Sequence, residues 1–317
     1  MENILDFFTQ NPKFTHAPLI LGVSGGADSL ALLHYLHALK YNIIVAHIDH
    51  SLRPTSHADS IHVQNICASL NLPCHAFKTD IAELAKQNKQ SLETAGRAFR
   101  YSSFAQLAAQ LSGVIVTAHN KNDTAESFIM HLLRGSGTSG LCGIPPISTL
   151  GDLIPSTFQN IQVIRPMLNT PRSNIEQYCL DNNLKYITDE TNTDTSYFRN
   201  DIRHNIMPLL YARGGLDSIT RTSQIISTEH DFWTEHISNL INTNIHDKTF
   251  SVKWFNSLHL AEQRLVLKAV LTTPRTVSKE RIDSIITMCQ KNYGNKTIEV
   301  TDGYKITLNK GVVTIAN

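Results

Sequence analysis

Two apolar rhythms alternate along the first half of the chain. Short runs of strand length, Pro18–Val23, Asn42–His47, Cys74–Lys78 and Val114–Ala118, are rich in Ile, Val and Leu. Between them lie stretches with apolar positions at helical spacing: Ser29–Lys40, Ser56–Leu70, Ile81–Gln87, Ser91–Leu111 and Asn122–Leu133. Short continuous apolar runs fit buried strands, and strands alternating with helices predict an α/β fold with a parallel sheet and helices on both faces. A short helix over residues 1–15 precedes this pattern, and a glycine-rich stretch, Gly135–Gly143, interrupts it. Gln162–Met167 reads as one more strand, stopped by Pro166. Thr170-Pro171 fits an N-cap followed by proline at the first helical position, with the helix reaching Asn182. Tyr186–Asp194 is loop-like, and Phe198–Tyr211 is helical with Pro208 breaking or kinking it.

Beyond Gly214-Gly215 the rhythm changes. A long helix, Ile219–Ile245, is followed by helices at Glu262–Leu271 and Lys279–Gln290. Three β-prone runs close the chain, Thr297–Val300, Tyr304–Leu308 and Val312–Ile315, separated by Asp302-Gly303 and Lys310-Gly311 as hairpin turns. The glycine pair is the natural linker, so residues 1–215 and 216–317 read as two domains, the second a smaller helical and α+β one.

Composition adds exclusions. In 317 residues, 41% apolar and 17% charged, no apolar stretch nears the roughly 20 residues that span a bilayer. The start, MENILDFFTQNPKF, lacks the basic and apolar regions of a secretory signal, so a cytoplasmic location with no membrane partner is expected. Five cysteines without a C-x-x-C pair argue for reduced thiols. A net charge of +1 is weak support for a nucleic-acid partner. Residues 262–296 nevertheless carry seven Lys and Arg against three acids, which fits a solvated face or an RNA surface.

The chemistry gathers where strands end. Ser24-Gly25-Gly26-Ala27-Asp28-Ser29 joins the first strand to the first helix. The first amides of a helix lack intrahelical partners and its dipole favours anions, so this turn is a phosphate site in outline. It is neither GxxxxGK(S/T) nor GxGxxG. The second strand runs into His47-Ile48-Asp49-His50-Ser51-Leu52-Arg53, whose side chains either line a nucleotide site or cap turns. The fourth leads to Thr117–Ser127, TAHNKNDTAES. There His119, Asp123 and Glu126 share one face if the segment is helical, and the two acids then call for a cation: Mg²⁺, an amine or an Arg. On the long helix, Arg97 either pairs with Glu93 or, with Arg100, reaches a phosphate. In parallel sheets ligands bind at the carboxyl ends of strands, which draws the three strand-end segments to one crevice.

SGGADS resembles the signature of the PP-loop ATP pyrophosphatases. With HIDHSLR, ETAGRAFRY, TAHNKNDTAES, LLRGSGTSGLCG at 132–143 and the run Arg165-Pro166, Arg172, Tyr178, Asp189, Asn192, Arg199-Asn200 and Arg203, the chain is similar to the tRNA(Ile)-lysidine synthetase family in a short form. Three positions depart from its pattern: Asn120 stands where His is usual, Asn122 where Asp is frequent, and Ser127 where Thr is usual. The resemblance implies ATP and Mg²⁺ as cofactors, free L-lysine and a tRNA(Ile) with a CAU anticodon as partners, and a homodimer. It implies adenylation of the wobble cytidine and then attack by the lysine ε-amine. Ser24, Gly25, Gly26, Ala27, Asp28, Ser29, His47 and Arg100 would hold ATP, with Asp28 also on Mg²⁺. Asp28, Asp49, Arg97, His119, Asp123 and Glu126 would act in catalysis, and residues 216–317 would dock tRNA. A tRNA-thiolating PP-loop enzyme, disfavoured by the absence of a C-x-x-C pair, or another adenylating ligase of the superfamily, disfavoured by the C-terminal region and the motifs from 165 to 210, is the alternative.

Overall fold

Helix α1 (Glu2–Gln10) turns Ile4, Phe7 and Phe8 inward and passes through a 3-10 turn, Pro12–Phe14, to the first strand. This computed structural model describes residues 1–51, 56–187, 194–271, 277–291, 294–300 and 303–316. The chain continues through β1 (Leu19–Gly22), α2 (Ala27–Ala38), β2 (Ile43–Asp49), α3 (Ser56–Ser69), β3 (Cys74–Lys78), α4 (Ile81–Gln87), α5 (Leu92–Leu111), β4 (Val114–Val116) and α6 (Lys121–Leu133). A one-turn helix α7 (Thr138–Leu141), β5 (Ile147–Thr149), β6 (Gln162–Ile164) and α8 (Arg172–Asp181) follow.

The six strands form one sheet in the order β3-β2-β1-β4-β6-β5, parallel except for β5 at the edge. Alternation along the central strands sends side chains to two separate cores. Leu19, Leu21, Val45, Val116 and Ile164 pack with Leu30, Leu33 and Ile175 on one face. Ile20, Ile44, Ile115 and Val163 pack with Tyr101, Phe104 and Ala108 on the other. The expected α/β sheet with helices on both faces is therefore present. Strand order runs one way from β1 to β2 and the other way from β1 to β4, so the carboxyl ends of β1 and β4 flank a topological switch point.

Phe198–Asp201 (α9) and Met207–Tyr211 (α10) are joined by a wider π turn, Ile202–Ile206. Met207 N–H donates to Ile202 O, five residues back. Pro208 has no N–H to give, and the helix widens immediately ahead of it instead of breaking. Two other expectations shift. Pro171, not Thr170, is the cap of α8, because the Thr170 carbonyl accepts from Lys121 N–H (3.1 Å) and stays in the loop. Gly214-Gly215 is a tight turn into α11 (Gly215–Asn244), where a Cβ on Gly215 would lie 2.7 Å from Leu210 O. The chain's two compact units, Met1–Ser227 and Thr228–Asn317, divide within α11.

The second unit contains β7 (Thr249–Ser251), α12 (Val252–Ser257), α13 (Leu260–Val270), α14 (Lys279–Lys291), β8 (Lys296–Glu299), β9 (Lys305–Asn309) and β10 (Val312–Ala316). Its antiparallel sheet has the order β7-β10-β9-β8. Phe250, Phe255, Val266, Ile285, Ile306 and Val313 are among the residues of a core of its own. Lys310 and Gly311, both at positive φ, make the tight β9–β10 hairpin expected of them. Strand β7 and helix α12 were too short to show in the apolar rhythm. Asp302 and Arg275 lie outside the described residues.

Candidate active site

The turn between β1 and α2 is closed by its own serines. Ser24 N–H donates to Ser29 Oγ (3.2 Å), Ser29 Oγ donates to Gly26 O (3.0 Å), and Gly26 N–H donates to Ser24 Oγ (3.3 Å). Gly25 has φ +89°, and a Cβ there would come within 3.0 Å of Ile187 Cδ1 and 3.3 Å of Val63 Cγ2. Only glycine fits that conformation and that gap. Gly26 is the N-cap of α2, and no side chain caps the helix, so its leading amides are open to an anion. Ser24, Asp28 and Ser29 line a cavity of about 400 Å³ at the switch point; Gly25, Gly26 and Ala27 form the turn behind them.

Asp28 opens the first turn of α2. Burial pushes its carboxyl up to about 6, and the nearby Asp123 adds to the rise; Arg172, Asn120 and Arg203 act against it. Its Oδ1 is buried with no hydrogen-bond partner. A buried, unpartnered carboxylate oxygen beside open helix amides fits a divalent cation carried in on phosphates. Mg²⁺ commonly binds through one or two carboxylates plus substrate oxygens. Among the described residues no three His, Cys, Asp or Glu side chains converge as a metal group, so the phosphates would supply the other ligands.

The end of β2 forms a second wall. His47 is buried and its Nδ1 donates to Val23 O (2.8 Å), which leaves Nε2 toward the cavity lined in part by this residue. Asp49 Oδ1 accepts from Ser51 N–H (2.8 Å). Burial acts to raise its carboxyl, but the Ser51 N–H, the Ser56 hydroxyl and Lys78 together hold it below the usual range. Asp49 thus both caps a turn and lines the cavity. His50 is pushed down to about 4, by burial first and then by Arg100, and is neutral at physiological pH. Arg53 lies outside the described residues.

On α5, Arg100 lines the cavity, whereas Arg97 does not; its guanidinium lies over the Tyr101 ring, 4.9 Å from the centroid. At i, i+3 the two arginines are neighbours on the helix, and what parts them is the Tyr101 ring that takes up Arg97 while Arg100 lines the cavity.

The fourth strand supplies the third wall. His119 precedes the N-cap Asn120 and is not helical, so it does not share a helix face with Asp123 and Glu126 as the i, i+4 reading expected. Its Nδ1 is 2.8 Å from Thr117 Oγ1. Burial, then Arg165, Arg199, Arg100 and Arg97, hold its imidazole well below the usual range, and it is neutral. Asp123 Oδ2 accepts from Asn120 N–H (2.9 Å) in a capping box. The cation that the acid pair demands is arginine. Arg199 Nη2 donates to Asp123 Oδ1 (2.6 Å) and its Nε to Glu126 Oε2 (3.1 Å). Arg203 grips Glu126 bidentately through Nε (2.7 Å) and Nη2 (2.8 Å). Glu126 is only 2% exposed and is absent from the cavity wall.

A PP-loop domain family matches residues 1–210. The tRNA(Ile)-lysidine synthase of Clostridium perfringens (strain ATCC 13124) is 32% identical over 98% of this chain and 67% of its own length. The chain belongs to the tRNA(Ile)-lysidine synthase family of PP-loop proteins. The synthase of Porphyromonas gingivalis (strain W83) is 39% identical over 61% of this chain. There the match spans only 40% of the relative's length. Among solved structures, a U34-tRNA thiolase of Methanococcus maripaludis superposes with a TM-score of 0.56 at 16% identity, covering 72% of this chain and 78% of the other; this is a likeness of fold.

In this lysidine synthase family member Arg199 and Arg203 have no local partner in the sequence, and their i, i+4 spacing, matched to an acid pair one turn long, is the signal for their pairing with Asp123 and Glu126. Arg165, 2% exposed and donating to Pro145 O (2.8 Å) and Ser148 Oγ (3.0 Å), lowers His119 from a distance that no sequence pattern records. Asp189 and Asn192 lie outside the described residues.

Proposed function

We propose that this chain uses ATP to join free L-lysine to the wobble cytidine of a tRNA(Ile) with a CAU anticodon, releasing AMP and pyrophosphate. One observation carries the reading: the open helix amides of the SGGADS turn and the Asp123–Glu126–Arg199–Arg203 network meet at one switch point, in a member of the lysidine synthase family. The α2 amides hold the pyrophosphate portion of ATP. His47 and Asp49 stand beside the nucleotide. Asp28 is the residue to hold Mg²⁺, which as a bound ion withdraws charge from the phosphate oxygens. Arg100 offers its guanidinium to the charge that develops as the cytidine oxygen attacks. Arg97 acts behind it, through Tyr101.

A free amino acid is a zwitterion, and the four-residue network is itself charge-balanced. A lysine carboxylate can meet an arginine of the network while an ammonium meets Asp123. The attacking ε-amine has an ordinary pKa near 10.4 and must first lose a proton. His119, Asp123 and Glu126 together bind the amine and handle that proton, with the carboxylates rather than the neutral His119 suited to stabilise positive charge. Residues 216–317 dock the tRNA body, and the enzyme acts in the cytoplasm as a homodimer.

The test is incubation with ATP, Mg²⁺, labelled lysine and a tRNA(Ile) transcript bearing CAU, with a tRNA(Met) transcript as control. Label in the first RNA only, with AMP release, is the expected result. AMP release without label would move the substrate to thiolation or another nucleophile.

A further inference from the structure

We infer that Phe198 and Arg134 form a stacking platform for an unpaired RNA base, one that flanks the wobble cytidine in the anticodon loop. This rests on the tRNA part of the reading above. The Arg134 guanidinium lies over the Phe198 ring, 5.2 Å from its centroid. Arg134 is exposed, Phe198 is 41% exposed and Tyr197 beside it is 51% exposed. Two large rings at consecutive positions are left partly in water, yet the backbone that carries them is braced. Asp194 Oδ1 accepts from Ser196 N–H (2.9 Å), and Asp194 O accepts from Asn200 Nδ2 (2.9 Å). Asp201 N–H donates to Tyr197 O (2.9 Å) at the start of α9. A ligand that covers the rings therefore meets little ordering cost in the turn that holds them.

The platform adjoins the candidate active site. Arg199, the next residue after Phe198, pairs with Asp123 (2.6 Å), a residue of the cavity wall. Arg134 caps the far end of α6, the helix whose first turn carries Asp123. A strand that sends one base into the cavity leaves its neighbours outside, beside this surface. Charge selects the occupant. Arg199 and Arg203 are neutralised by Asp123 and Glu126, whereas among the described residues no carboxylate pairs with Arg134. Asp194 and Asp201 accept hydrogen bonds within their own segment. A free cation on an exposed ring suits an unpaired base, which stacks on aromatic and guanidinium planes, with a phosphate close by. Access is open from the α6 side, where Gly135 and Gly137 follow Arg134 and a Cβ on either would meet nothing within 4 Å.

The experiment is fluorescence anisotropy of a labelled RNA hairpin, an anticodon stem and loop bearing CAU, titrated with the full chain. A blunt duplex of the same stem without the loop is the control. Phe198→Ala should weaken hairpin binding about tenfold, the scale of one base–aromatic stack, and leave duplex binding nearly unchanged. Phe198→Trp should keep the wild-type affinity. Arg134→Gln should weaken hairpin binding and lower the slope of log affinity against log salt by about one. A hairpin abasic at both positions flanking the wobble cytidine should bind wild type and Phe198→Ala alike. Wild-type hairpin affinity in Phe198→Ala, equal loss for hairpin and duplex, or a wild-type chain that does not bind the hairpin would overturn the inference. So would a dimer lost in Phe198→Ala with hairpin affinity unchanged, which would give the rings to a second copy of the chain. A chain whose hairpin binding depends on Phe198 yet which transfers no lysine would overturn the lysidine reading and leave the platform standing. Lysine transfer by Phe198→Ala with a wild-type KM for tRNA would do the reverse.

Discussion

Asp28 and His50 pull the stability of the metal-free protein in opposite directions with pH. Asp28 titrates near 6 in the fold against 3.8 unfolded, so the folded chain holds that proton more tightly. This contribution is complete below about pH 4 and is lost as pH rises through about 6. His50 titrates near 4 in the fold against 6.5 unfolded. Its contribution is present above about pH 6.5 and is lost as pH falls toward about 4. Asp28→Asn should therefore raise stability by on the order of 2 kcal/mol at pH 7.5 in chelator, and leave it unchanged at pH 4, as read by urea unfolding. The same substitution should abolish any Mg²⁺-dependent gain. Arg203→Met removes the bidentate partner of a carboxylate that is 2% exposed. That change should cost about 3–5 kcal/mol, because a buried charge is left with only part of its compensation. Equal unfolding midpoints for wild type and Arg203→Met would refute it.

At the scale of elements, the β1–α2 turn works through backbone shape. Gly25→Ala places a methyl at φ +89° and within 3.0 Å of Ile187 Cδ1. It should cost about 1–3 kcal/mol and weaken nucleotide binding, since the turn that presents the amides must shift. The stretch from Leu19 to Ala38 was legible because strand, glycine turn and helix each follow local rules. Helix α6 was legible in extent but not in its first turn. Whether His119 lay on the helix depended on where Asn120 capped it, and the choice between Asn120 and a later start is made by the Asp123 capping box. Pro208 announced a disturbance. That the disturbance is a π turn, with Arg203 within it, follows from the Met207 bond to Ile202 O.

On the scale of the whole molecule, the two units have separate cores, with no residue shared between them among the described residues. Residues 228–317, produced alone, should therefore unfold cooperatively on heating. Residues 1–227 alone should bind Mg²⁺ and α,β-methylene-ATP with the affinity of the full chain while losing affinity for the tRNA transcript. Unchanged tRNA affinity in that fragment would remove the docking role from the second unit. The expected boundary at the glycine pair came from treating glycine as a flexible joint. In the fold, Gly215 is there because the chain passes 2.7 Å from Leu210 O, a distance that excludes a side chain.

The sequence by itself determined the elements, the parallel sheet and the three strand-end segments that converge, because apolar periodicity and turn chemistry are local properties. Their convergence needed only the rule that a parallel sheet gathers its carboxyl ends at a switch point. The tertiary structure alone decided which partner satisfied each charge. Asp123 and Glu126 meet arginines 76 and 77 positions away, and Arg97 turns to Tyr101 while Arg100 faces the cavity. Charge pairing acts over a few ångströms in space and is indifferent to separation along the chain, so no periodicity records it.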